Sequence, residues 1–170
     1  MSRRTKGLLV LGGTAALVAG LVPLSGAMAA DPAGNNGTVK IDAQPFDTTP
    51  DNQPHVGCNF QVDWYGFDQG TNIFSNVTFE AQPPTGRGVL VQDSVFVGED
   101  SAAGGGSEAG LDAEREYNLS GPLLNGGYKA QPNQGYHVML TINTPTSNGA
   151  DVKHKVFWVQ AADHGSTGGC

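Results

Sequence analysis

The chain has 170 residues, of which 9 are basic and 16 acidic, for a net charge of −7. The acidic balance argues against nucleic acid and anionic membranes as partners, since both are held through basic patches. Aromatics are few and glycine is abundant, but the apolar residues fall in alternating runs, which argues for a folded β domain rather than a disordered chain.

Residues 1–29 read as an export signal. Arg3, Arg4 and Lys6 form a positive start, Gly7 to Leu24 an apolar stretch, and Ala27-Met28-Ala29 a small-residue cleavage site. The competing reading is an uncleaved anchor, since spanning takes about 20 apolar residues; Gly12, Gly13, Gly20 and Pro23 weaken it. Cleavage after Ala29 removes three of the nine basic residues and none of the acidic ones, so the net charge moves from −7 to −10. No membrane association is expected after cleavage. Residues 30–37 are a flexible lead-in.

Thr38 to Asp42 alternates and predicts a first strand; Gln44 to Pro54, with three prolines, predicts a loop. The central strand follows. Cys58, Phe60, Val62 and Trp64 alternate with Asn59, Gln61, Asp63 and Tyr65, which directs the first set at a core. Burial of Phe60, Val62 and Trp64 contributes about 1.5–3 kcal/mol each. Ile73 to Gln82 predicts the next strand, closed by Pro83-Pro84-Thr85-Gly86. Val89 to Val97 is another, with a bulge expected at Asp93 and Ser94, where the alternation breaks.

Gly98 to Gly110 is a glycine-rich acidic loop. Arg115 to Leu119 predicts a brief strand, after a charged stretch (Asp112 to Glu116) that could open as one helical turn. Gly121 to Gln134 reads as loop with a short strand at Tyr128 to Ala130. Tyr136 to Ile142 is the cleanest alternation, and Lys153 to Val159 the last strand. About seven strands without a convincing helix indicate an all-β, antiparallel β-sandwich of immunoglobulin/fibronectin-like architecture over residues 38–160, followed by a flexible Gly-rich tail, 161–170. Gln134-Gly135-Tyr136 resembles the tyrosine corner of immunoglobulin-like domains, although Val138 stands where those domains place a cysteine.

Several stretches carry a further resemblance: Asn36-Gly-Thr-Val-Lys40, Pro54-His-Val-Gly-Cys58, Tyr65-Gly-Phe-Asp68, Pro83-Pro-Thr-Gly86 and Lys153-His-Lys-Val-Phe-Trp158. They resemble a family of uncharacterised secreted actinobacterial β-domain proteins, some of them wall-anchored, over most of residues 36–159. The resemblance implies export and a β domain, and no activity.

Two cysteines in an exported chain are read first as one disulfide, Cys58 to Cys170; the alternative is a buried free Cys58 with an exposed, cross-linking Cys170. His55, His137, His154 and His164 show no zinc-like spacing, so no metal site is expected. Calcium at Asp47 with Asp51, or at Glu99, Asp100 and Glu108, would need six to eight ordered oxygens, and solvated loops are the simpler reading. No cofactor is expected. Gly-x-Ser-x-Gly is absent, and Asp63 with Glu80 is the carboxylate pair to inspect for glycoside chemistry.

The remaining candidate is a binding surface of His55, Lys153, His154, Lys155 and Trp158, whose cationic and aromatic groups suit a cell-wall glycan or another extracellular protein. The plain alternative is an edge strand guarded by lysines. The sequence thus favours a secreted or envelope-associated, non-enzymatic interaction module over a small glycan-directed hydrolase with paired carboxylates.

Overall fold

Phe60, Val62 and Trp64 are fully buried, and Gln61, Asp63 and Tyr65 on the opposite side of the same strand are buried as well. This strand, β3 (Asn59–Tyr65), lies between β1 (Thr38–Ala43) and β6 (Leu111–Asn118), both antiparallel to it, in a three-stranded sheet. A computed structural model describes residues 37–47, 49, 52–99, 110–146, 152–161 and 170. The expected export signal, the lead-in before Gly37, residues 100–109 of the acidic loop and residues 162–169 of the tail lie outside the described residues.

The second sheet has five strands in the order β2 (His55–Val56), β8 (Val152–Val159), β7 (Tyr136–Asn143), β4 (Phe74–Ala81) and β5 (Gly88–Phe96). All its pairings are antiparallel except β2 with β8. In immunoglobulin lettering the two sheets read A-B-E and A′-G-F-C-C′, so the expected sandwich is the observed one, with eight strands.

The core fills the space between the sheets. Phe60 from the smaller sheet meets Phe79 and Phe157 from the larger, with ring centroids 5.5 and 5.3 Å apart, and Phe79 meets Tyr117 at 4.8 Å. Trp64 Nε1 donates to Ser75 Oγ across the same space at 2.9 Å, so the buried indole N–H is satisfied. Cys58 sits where the chain leaves β2 and crosses to β3. Its disulfide to Cys170 is formed, and the Cys170 amide donates to the Gln160 carbonyl at 2.9 Å, which fastens the chain end beside β8.

Four local expectations are corrected. The Asp112 to Glu116 stretch opens no helical turn; it is part of β6, with Asp112 accepting the Phe67 amide at 2.8 Å. Residues 120–125 form a short helix, α1 (Ser120–Asn125), that tolerates Pro122 in its first turn and buries Leu123. Tyr128 to Ala130 is not a strand: the Tyr128 ring lies against Gly86, Gly88 and Gly126, where added Cβ atoms would stand 2.5–2.7 Å away from it. Finally, the β5 irregularity falls opposite Phe79 and Glu80, between Val89 and Val91, and not at Asp93. Asp93 pairs with Val77 and keeps the inward parity, because partners wait for it across the sandwich edge: Arg115 Nε at 3.3 Å and the Tyr117 hydroxyl at 3.2 Å.

Candidate interaction surface and a buried carboxylate

Strand alternation divides the expected binding surface. In β8, Trp158 lies opposite His137, and His154 opposite Thr141, on the outer face of the larger sheet. Lys153 and Lys155 face Ile142 and Leu140 and share the core-side parity of Phe157. They are half-buried, and desolvation holds both ammonium groups below the usual lysine range, with Lys40 of β1 a second cause at Lys155. The five residues therefore do not form one cluster.

His55 does lie opposite Trp158, but through a strand that the sequence hides. β2 is only two residues long, and it pairs in parallel with β8 so that His55 lies opposite Trp158. A row of three rings results, His55, Trp158 and His137, across β2, β8 and β7. The His137 and Trp158 rings are stacked, with centroids 4.5 Å apart and planes 25° from parallel. His137 Nδ1 lies 2.8 Å from the Pro83 carbonyl, His55 Nε2 lies 2.6 Å from Gln134 Oε1, and His154 Nδ1 lies 3.0 Å from Thr141 Oγ1. Sequence reading had no way to place His137 here, since its partners come from β8 and the Pro83 turn.

The next row on this face runs Val156, Met139, Glu80 and Val89. Val156 is 61% exposed and Val89 is also exposed, so apolar ground adjoins the aromatic row. Farther along, Phe74 and Phe96 pair at 5.2 Å, beside a shallow cleft of about 350 Å³ lined by Gln69, Gly70, Thr71, Phe96, Gly98 and Glu99.

The Asp63 and Glu80 pair does not exist. Consecutive strands β3 and β4 belong to different sheets, and the two side chains point to opposite sides of the sandwich. Asp63 instead shares the outer side of the smaller sheet with Asp42 and Glu114. It is 2% exposed, and its Oδ1 has no hydrogen-bond partner. Burial pushes its carboxyl up to about 6; a Gln61 hydrogen bond opposes this, while Glu114 and Asp42 add to it. Among the described residues no group of three or more His, Cys, Asp or Glu could hold a metal ion. Of the calcium candidates, Asp47 Oδ1 accepts the Thr49 amide at 2.7 Å and Glu99 lines the shallow cleft, while Asp51, Asp100 and Glu108 lie outside the described residues. Compared with protein-family models, curated proteins and solved structures, the chain matches none.

Proposed function

We propose that the protein is a secreted, non-catalytic interaction module of the extracellular space or cell envelope, working through the outer face of its larger sheet. The observation that carries this reading is the row His55, Trp158 and His137 beside exposed Val156: a half-buried tryptophan with apolar and polar neighbours on a flat face. Such aromatics are the usual anchors of protein interfaces. The Cys58–Cys170 disulfide supports an oxidising location, as the export signal does. No helix among the described residues is long and apolar enough to cross a membrane.

The alternative, a glycan-directed hydrolase with paired carboxylates, draws on Asp63, whose burial keeps a glycosidic oxygen out of reach. The test is co-sedimentation of the secreted form with isolated actinobacterial cell walls. Binding that is lost in Trp158→Ala, with the melting curve unchanged, supports the module. Turnover of a glycan panel, abolished by Asp63→Asn, would replace it with the hydrolase.

A further inference from the structure

The two outer faces of the sandwich differ in charge. The smaller sheet turns Asp42, Asp63, Glu114 and Glu116 outward with Lys40, and is acidic. On the larger sheet the outward titratable side chains of the paired strands are His55 on β2, His154 on β8, His137 on β7 and Glu80 on β4; β5 adds Val89, Gln92 and Ser94. Among the described strand residues, three of the four histidines of the sequence thus share one face with one carboxylate, on a chain of net charge −7. Lys153 and Lys155 belong to the other side of β8.

The hydrogen bonds leave room for a second proton. A carbonyl only accepts, so His137 Nδ1 donates to Pro83 O, and a further proton goes to Nε2 without breaking that bond. His55 Nε2 is placed to donate to Gln134 Oε1, with Nδ1 left for the same purpose. An imidazolium at His137 would lie over the Trp158 indole, an attractive geometry for a cation. Histidine is the side-chain type whose charge changes in mildly acid conditions, so a face carrying three histidines and one carboxylate is the one placed to gain positive charge on acidification. On the smaller sheet the same acidification protonates Asp63, whose carboxyl is raised to about 6.

We infer that the outer face of the larger sheet is an acid-gated docking surface for a carboxylate-bearing polysaccharide, an inference that rests on the interaction-module reading. Charge complementarity selects an anion, and single exposed ion pairs are weak, so useful affinity needs repeated charges on one chain. The row of three rings spans about 10 Å, two strand spacings, across three adjacent strands of the sheet. Trp158, Val156 and Met139 give the apolar faces of sugar rings a surface to lie on, which a bare phosphate chain does not use.

The experiment measures retention of the secreted form on immobilised polygalacturonate, neutral dextran and polyphosphate, at about pH 5.5 and 7.5. The expected result is retention on polygalacturonate that is about tenfold or more stronger at the lower pH, absent on dextran, and lost in His55→Gln/His137→Gln/His154→Gln. Melting curves confirm that the triple variant is folded, and quenching of Trp158 fluorescence on acidification, absent in His137→Gln, reports charge at the stack; Trp158→Phe gives the signal of buried Trp64 to subtract. Equal retention at both pH values, retention kept by the triple variant, or preference for polyphosphate would each overturn the inference. Wall co-sedimentation that persists without any pH dependence would overturn the gate and leave the interaction-module reading standing.

Discussion

Asp63 is a carboxyl group with one oxygen unpartnered in a buried place, flanked by two other carboxylates. Its pKa is raised to about 6, so its protonated form contributes stability that is fully present below the ordinary carboxylate range and is lost as pH rises through about 6. Asp63→Asn removes the charge and keeps the shape. Thermal melts should show the variant more stable than wild type at neutral pH, with the two curves converging toward pH 4; parallel curves would contradict the assignment. Next to it, Trp64→Ala should cost about 3–5 kcal/mol, against total stabilities of about 5–15, and strand the buried Ser75 hydroxyl. An unchanged denaturation midpoint would mean that the indole does not carry the core.

At the scale of elements, β5 is the open edge of the larger sheet: nine residues, rich in valine, with Asp93 its one charged side chain. Such an edge invites another strand. Asp93 turns inward and blocks it, one oxygen taking the Ser94 amide at 2.8 Å and the other holding Arg115 and Tyr117. Asp93→Val should therefore produce concentration-dependent self-association in sedimentation velocity, whereas Gln92→Val, on the outer face, should stay monomeric. If both variants remain monomeric, the edge is guarded by the Val89–Val91 bulge alone.

Asp93 also shows where sequence pattern stops. An acid between Asp-blind valines looks like a broken alternation, because its partners come from a strand of the other sheet. The long strands β3, β4, β7 and β8 were legible, since each buries alternate apolar residues against one core. Two-residue β2 and the helix over Gly121 and Pro122 were not, because pairing to β8 and burial of Leu123 override weak local preferences.

For the molecule as a whole, the site was legible only in part. His55 and Trp158 were singled out together, but Lys153 and Lys155 were joined to them because they are adjacent in sequence, and alternation sends neighbours to opposite faces. The disulfide was legible from cysteine count and context, since a folded crossing and a chain end meet there. Cys170→Ser should lower stability, by up to about 4–5 kcal/mol in the chain-entropy treatment of so long a loop. Urea melts of the variant and of the reduced protein should coincide, and the intact mass of the wild type should be two hydrogens below the reduced form. A free thiol on the protein purified without reductant would count against the bond.

That bond also decides how the protein carries mechanical load. Force applied between Gly37 and Cys170 passes along the chain into Cys58 and through the sulfurs, so β3 to β8 lie inside a closed loop spanning 112 residues and cannot be drawn out while the bond holds. Only β1 and β2 can be extended, by peeling from β3 and β8. Single-molecule pulling should release no more than about 70 Å of contour, the extended length of the chain from Gly37 to Cys58. Adding a reductant should then free the remaining 112 residues in a second, much longer extension. A domain held under tension between these two points would in this way peel its first strand while the face bearing Trp158 and His137 stays in register.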